Sequence, residues 1–483
     1  MPNLESKLTS SAVLMLITRL SVKSLGIISS LILVRLLTPE DFGVIAIVMS
    51  IYSFIELFGL FGFNAAIIQK TAPKKSDYDT TFTINLGFGI IASSLMFLMA
   101  PYLSEFFDDT RLIEVFRWVA LLFLCNALIN IKVVDFQRDM EFKKELILQL
   151  APKLFSFFVT LYLAWSLRSY LALVYGMLIL SLFNVIQSYI MKPYRPSLSI
   201  TGGKELFKFS KWLMLNNIFY YVNNKSIDLI VGKMISTKAA GLYSISQEMA
   251  TLPVSEIGAP INKASYPAYS RAKNDFKELR RLFYNTCSMI TLLALPTSLG
   301  LYSVADFFVP VVLGVKWMGA IEVIQLLSLA AFITSLSSNN GYIFMAIGKP
   351  KITTAISGIR IIVLLVMLFG VISFDNISSP ALALLCSAVI NFFISFTWLK
   401  FEINISYRSI LAVLYRPILS SLIMSIMIWI TKTFFIIEVG ILNLMLLIFM
   451  GVVGYFISIL LLWWAAGKPK GIEMQILSKL KVI

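Results

Sequence analysis

The chain has 483 residues, of which 58% are hydrophobic and 14% charged, with a mean hydropathy of +0.84. Soluble domains are about half apolar and about a quarter charged, so that class is excluded. Its 41 Lys and Arg outnumber 26 Asp and Glu, a formal net charge of +15. In so apolar a chain that excess is read as topological, with cations collected in cytoplasmic loops, and not as a footprint for nucleic acid.

Apolar runs of about 20 residues are long enough to cross a hydrocarbon core of about 30 Å. In chain order they predict spans at 11–34, 42–63, 81–103, 112–131, 146–167, 169–191, 212–235, 239–262, 282–304, 319–345, 352–373, 379–399, 411–433 and 440–464. The expected fold is an all-α polytopic membrane protein of about 14 transmembrane helices. The first run lacks a small-residue processing site, so no cleaved leader is expected.

The amino terminus, alternate loops such as QKTAPKKSD, QRDMEFKKE and SRAKNDFKELRR, and the tail from 467 hold most of the Lys and Arg. The opposite loops, such as SEFFDDTR and FDNIS, are short and partly acidic. This bias places both termini in the cytoplasm. The tail 467–483 is basic, and its IEMQILSKLKVI stretch reads either as an interfacial helix on anionic lipid or as a solvated end.

The two halves echo each other. LVRLLTPEDFGVIAI from Leu33 aligns with IVGKMISTKAAGLYSI from Ile230, placing Gly43 on Gly241 and Arg35 on Lys233; IEVFRWVAL from Ile113 matches IEVIQLLSL from Ile321. Six helices separate equivalent positions, so both copies insert with the same polarity, as parallel repeats about an axis along the membrane normal. The expected organisation is a lobe over 1–200, a second over 201–405, two additional helices over 406–466, and the tail.

Ionisable residues inside spans mark cavities, partners or substrates by default, because charge in hydrocarbon is costly. Arg19 and Lys23 lie four apart in the first span and share a face. In the seventh span Asn217, Tyr221, Asn224 and Asp228 recur at helical spacing, with Tyr220 and Lys225 beside them, as for a helix lining a water-filled cavity. Lys153 and Arg360 sit about two turns inside the fifth and eleventh spans. Glu56, Glu248 and Glu256 are further carboxylates within spans. A structural alternative pairs Arg19 with Glu56 and Lys225 with Asp228, with Lys153 and Arg360 reaching the interface.

Chemistry of the enzymatic kind has little to work with. There is no histidine, and Cys125, Cys287 and Cys386 all lie in apolar spans. No Walker loop or metal-ligand cluster is present either. No cofactor or metal is expected, beyond a coupling ion, H+ or Na+.

The RLLTPEDFG turn, the Q-R-D-M-x-F-K pattern from Gln137 and the two-lobed span pattern resemble the polysaccharide transporter branch of the multidrug/oligosaccharidyl-lipid/polysaccharide flippase superfamily, and within it the Wzx-type lipopolysaccharide biosynthesis flippases. The resemblance implies a bacterial inner-membrane protein that moves undecaprenyl-diphosphate-linked oligosaccharide to the periplasmic leaflet by alternating access. It implies Arg19 as a cavity arginine, with Lys23 near a second such position. Substrate contacts are then expected from Arg19, Lys23, Asn217, Tyr220, Tyr221, Lys225, Lys153 and Arg360. Ion coupling falls to Asp228, assisted by Asn391 and Glu56. Membrane lipids, a polysaccharide polymerase and a chain-length regulator are the expected partners. A cation-coupled drug exporter would favour acidic cavity residues, and a membrane glycosyltransferase or polymerase would need a large external loop bearing a carboxylate.

Overall fold

The computed structural model describes residues 2–59, 67–68, 73–201, 218, 221–222, 225–371, 376–434, 438–469 and 474, the side chains of 2–13 and 16 apart. Every regular element among the described residues is helical. Among the described residues ten helices are long and apolar enough to cross a membrane, or eleven if Arg111–Ala127 and Ile131–Arg138, bent by 64°, count as one span. Of the other expected spans, 42–63 begins as helix Pro39–Glu56 and then leaves the described residues, and most of 212–235 lies outside them. The span expected at 239–262 is part of the continuous helix Thr237–Arg271, which runs through Pro253, Pro260 and Pro267. Its prolines recur every seven residues, so the amide hydrogen bonds they remove fall on one face.

The chain divides into two compact units, Met1–Gly241 and Leu242–Ile483. In the first, α1 (Pro2–Leu36), α2 (Pro39–Glu56), α3 (Lys75–Phe107) and α4 (Arg111–Ala127) are followed by a 3-10 turn (Ile131–Val134), the short α5 (Asp135–Arg138), α6 (Phe142–Leu167), α7 (Leu171–Met191) and α8 (Ser226–Met234). α9 (Thr237–Arg271) starts at the end of this unit. In the second unit α10 (Phe276–Phe308), α11 (Ile321–Ala346), α12 (Pro350–Val366), α13 (Ser379–Ile403), α14 (Tyr407–Phe434) and α15 (Ile441–Ala465) follow. α3 packs along α4, α6 along α7, and α4 against α7; in the second unit α10 packs along α11, α12 along α13, and α11 against α13. The same packing scheme in both units is what a duplicated sequence produces. α8 packs on α2 of the first unit, although the repeat counts it as the opening helix of the second lobe.

The RLLTPEDFG turn is built by local chemistry. Thr38 caps α2: its hydroxyl accepts from the Asp41 amide at 3.3 Å, and its own amide donates to Asp41 Oδ2 at 2.9 Å, with Pro39 in the first helical turn. That reciprocal pair satisfies two amides that a helix start leaves open. The other Asp41 oxygen accepts from the Tyr170 amide at 3.1 Å, which ties the turn to the start of α7.

Gly43 and Gly241 explain why the echo keeps glycine. A Cβ on Gly43 would lie 1.8 Å from the Thr237 carbonyl oxygen, and one on Gly241 would lie 1.9 Å from the Pro39 carbonyl oxygen. The repeat that aligns Gly43 with Gly241 also aligns Pro39 with Thr237. Each glycine therefore packs on the residue equivalent to the one four positions before it, a reciprocal contact of the kind a local two-fold produces. The nearest atoms at both glycines are backbone atoms.

Orientation is directly testable. Reporter fusions at Lys75, Gly203, Lys273 and the carboxyl terminus are expected to report cytoplasm, and fusions at Asp108 and Asn376 periplasm; Lys75 and Asp108 reporting one side would contradict the assignment. These two positions lie at opposite ends of the 33-residue α3, about 50 Å apart at 1.5 Å per residue.

Candidate functional site

On α1, Arg19, Lys23 and Gly26 fall at i, i+4 and i+7, one stripe of the helix. Arg19 and Lys23 are exposed on the first unit. α1 packs along α6, and the Lys153 ammonium of α6 reaches 4.0 Å from the point a Gly26 Cβ would occupy. Lys153 lies beside Gly26 on the packed face of α1. The stripe of α1 that bears Arg19 and Lys23 thus ends at a third cation, and Gly26 is the residue that sequence reading missed.

Pairing with Glu56 does not account for Arg19. Among the described residues neither Arg19 nor Lys153 has a carboxylate within 4 Å, and Glu56 Oε1 instead accepts from Tyr52 at 3.4 Å. Tyr52 in turn accepts from Asn126 Nδ2 at 2.9 Å and stacks on Phe123 at 4.3 Å. Glu56 is the end of a polar chain linking α2 with α4. Tyr52 and Asn126 escaped notice because single polar residues in apolar runs carry no periodic signal.

The described part of the polar stripe packs on α2. Tyr221 is buried and donates to the Ser50 carbonyl at 3.1 Å, while its ring lies against Phe54. Asp228 is 3% exposed; its Oδ2 accepts from the Ser50 hydroxyl at 3.4 Å, and its Oδ1 is buried without a hydrogen-bond partner. Lys225 is exposed, and no ion pair joins it to Asp228 among the described residues. Asn217 and Tyr220 lie outside the described residues. Tyr221 therefore serves α2 packing through its hydroxyl, whereas Asp228 keeps one oxygen unused. A half-satisfied buried carboxylate is costly to keep charged, which is the condition for taking up a proton or cation.

The remaining positions belong to the second unit. Asn391 on α13 is buried with its Oδ1 unpartnered. One turn further on, Ser395 accepts from Asn340 Nδ2 at 2.9 Å, and the Oδ1 of Asn340 is also buried and unpartnered. Two amide oxygens are thus open in neighbouring parts of α11 and α13, and Asn340 was not foreseen. Arg360 on α12 is half-buried, and its carbonyl accepts from Ser387 at 3.5 Å. Among the described residues no group of three or more His, Cys, Asp or Glu could hold a metal ion.

At the far end of α3 the first unit is held by polar contacts. Lys233 pairs with Asp108 at 2.9 Å, Arg111 with Asp109 at 2.7 Å, and Thr237 donates to Asp109 at 3.0 Å. Burial pushes the Asp109 carboxyl up, but the bonds from Arg111 and Thr237, with the Arg111 charge, outweigh it and hold the group below its ordinary value.

Comparison with known proteins agrees with this architecture. The polysaccharide biosynthesis protein family model matches residues 32–322. The chain is 24% identical over 427 residues to lipopolysaccharide biosynthesis protein WzxC of Escherichia coli (strain K12), covering 87% of this chain and 86% of that one. It is 21% identical over 369 residues to teichuronic acid biosynthesis protein TuaB of Bacillus subtilis (strain 168), covering 76% of each. In fold it is similar to the lipid II flippase MurJ in an inward closed conformation, with a TM-score of 0.75 and 13% identity over 95% of this chain and 99% of that one. The MATE multidrug transporter DinF-BH is also similar, with a TM-score of 0.55 and 15% identity over 85% of this chain and 97% of that one. The family match runs from the last turns of α1 through the start of α11, and on it this chain, a multi-pass helical membrane protein, belongs to the polysaccharide biosynthesis protein family.

Proposed function

We propose that this protein is a flippase that carries undecaprenyl-diphosphate-linked oligosaccharide from the cytoplasmic to the periplasmic leaflet of a bacterial inner membrane by alternating access, with both termini cytoplasmic. The observation that carries the reading is the stripe of Arg19 and Lys23 running to Lys153 on the first unit, where among the described residues neither Arg19 nor Lys153 has a carboxylate within 4 Å. The names of the relatives place them in polysaccharide assembly, and the neighbour of highest TM-score quoted above is a lipid flippase.

The chemistry explains the need. Each sugar hydroxyl left unpaired in hydrocarbon costs several kcal/mol, so an unaided flip is slow and a polar path is required. A diphosphate is anionic, and arginine meets it as a fork while lysine meets it as a point charge. With the cell interior negative, each negative charge moved outward gains about 2.3 kcal/mol per 100 mV. A drug exporter that carries organic cations would be repelled by the same stripe. The two lobes of the repeat, 1–200 and 201–405, are the moving parts in this reading, and the polymerase and chain-length regulator receive the delivered units. Deleting the gene from its host is expected to leave lipid-linked oligosaccharide on the cytoplasmic leaflet and to remove the surface polymer; polymer export at the normal level would refute the reading.

Coupling to H+ or Na+ is assigned to Asp228 of the first unit, with Glu56 in the same unit and, separately, Asn391 in the second unit as further polar candidates. Asp228→Asn keeps the shape and removes the titratable charge. In proteoliposomes it is expected to abolish acceleration by an imposed proton or sodium gradient while substrate binding remains. On this reading the double variant Lys225→Ala/Asp228→Ala should stay unresponsive as well. Recovery of gradient response in that double variant would show a merely structural pair.

A further inference from the structure

The Q-R-D-M-x-F-K pattern has no part in the cation stripe, yet its Arg138 and Asp139 line a second site. After α4 the chain turns by 64° and runs Ile131–Arg138 across the end of the first unit. Asn130 fixes the bend: fully buried, it donates from Nδ2 to the carbonyls of Ser188 and Lys192, and its Oδ1 accepts from the Lys132 amide at 3.0 Å. Between this segment, the start of α3 and the strand of chain after α7 lies a cavity of about 420 Å³, lined by residues that include Lys75, Tyr78, Lys132, Asp135, Arg138 and Tyr194.

Its carboxylates are already satisfied. Asp135 accepts from Tyr78 at 2.6 Å and pairs with Arg138 at 3.1 Å and Lys192 at 3.5 Å; Asp139 pairs with Arg138 at 3.0 Å. Tyr194 donates to Asp79, which also accepts from the Ser197 hydroxyl at 2.6 Å. Lys75 and Lys132 are left without a carboxylate within ion-pair distance among the described residues, Lys132 lying over the Tyr194 ring at 5.5 Å. Beneath the polar mouth, Ile67, Tyr78, Phe82, Ile131 and Val134 form an apolar cluster against which Tyr194 packs.

We propose that this cavity binds the diphosphate of a prenyl-type lipid at the cation-rich end of the first unit, before the lipid reaches the Arg19 stripe. Two lysines with no carboxylate in ion-pair contact among the described residues match the two negative charges of a sugar-linked diphosphate, where an ordinary anionic phospholipid offers one. Tyrosines over an apolar floor suit an amphiphile lying at the membrane interface, and not a free nucleotide or sugar phosphate. The preference for the transported lipid rests on the flippase reading; the site itself does not.

The test is lysine acetylation footprinting by mass spectrometry on the full chain in phosphatidylcholine nanodiscs, with farnesyl diphosphate, phosphatidylglycerol and inorganic diphosphate as probes. Farnesyl diphosphate is expected to slow acetylation of Lys75 and Lys132 about tenfold, leaving Lys273 unchanged, in wild type and in Arg19→Ala alike. Phosphatidylglycerol and inorganic diphosphate at the same concentration should protect weakly. No protection, protection by phosphatidylglycerol as strong as by farnesyl diphosphate, or protection lost in Arg19→Ala would each overturn the proposal. Lys75→Gln/Lys132→Gln is expected to raise the lipid concentration needed for half-maximal flipping about tenfold; an unchanged concentration would overturn it while leaving the flippase reading intact.

Discussion

Arg19→Ala is expected to cut polymer export by about tenfold or more while the protein remains in the membrane at its normal level. A hydrogen bond to a charged group contributes about 1.5–3 kcal/mol, and each 1.4 kcal/mol or so is a factor of ten. Arg19→Lys should recover part of the activity, because the charge returns without the fork that grips two phosphate oxygens. Lys153→Ala should act in the same direction. Gly26→Leu should mimic it indirectly, since a large side chain there fills the space beside the Lys153 ammonium. Surface polymer and accumulated lipid-linked intermediate, measured together, separate lost transport from lost protein. Full export by Arg19→Ala would remove Arg19 from the site.

Gly43→Ala should be among the most destabilising single-methyl additions in the chain. The added carbon would meet the Thr237 backbone at 1.8 Å from oxygen and 2.7 Å from carbon, and no side-chain rotation relieves a clash with backbone. Overpacking costs about 1–3 kcal/mol where side chains can yield, and here they cannot. Gly241→Ala meets the Pro39 carbonyl and the Gly43 amide in the same way. Because both methyls push the same two turns apart, the double variant should lose less than the sum of the single losses. Gly87→Ala is the control: its Cβ would meet nothing within 4 Å in the middle of α3, and the gain in helix propensity is about 1 kcal/mol. Thermal melting of the purified protein in detergent orders the four variants. A Gly43→Ala melting point equal to wild type would disprove the close approach.

Much of the architecture was legible because hydrocarbon imposes it. Long apolar runs gave most of the helices, and the echo between Leu33 and Ile230 anticipated a duplication that the packing of α3, α4, α6 and α7 repeats in α10 to α13. What the echo could not say is that its own glycines touch: similarity between Gly43 and Gly241 carries no distance. The same limit hid Lys153 beside Gly26, since which helix packs on α1 is a tertiary fact. Charged residues inside spans stand out against an apolar background, which is why Arg19, Lys23 and Asp228 are candidates from the sequence alone. Ser50, Tyr52, Asn126 and Asn340 are not, as uncharged polar residues occur singly and acquire meaning only from the helix opposite. Tyr221 stood out for its phenol, yet that hydroxyl is used on the Ser50 carbonyl. Of the Q-R-D-M-x-F-K pattern, Arg138 donates to the Tyr78 hydroxyl, which itself donates to Asp135 two residues before the pattern; sequence similarity alone carries neither contact.

The central claim is that this chain moves a diphosphate-linked sugar lipid across a bilayer, and purified protein in liposomes tests it most directly. A fluorescently tagged short-prenyl diphosphate disaccharide is placed in both leaflets, and dithionite added outside reports the fraction that reaches the outer leaflet. Wild-type protein is expected to expose the inner pool at least about tenfold faster than protein-free liposomes, Arg19→Ala to approach the protein-free rate, and an analogue without the diphosphate to gain little. A wild-type rate equal to that of protein-free liposomes, or equal acceleration of the uncharged analogue, would contradict it.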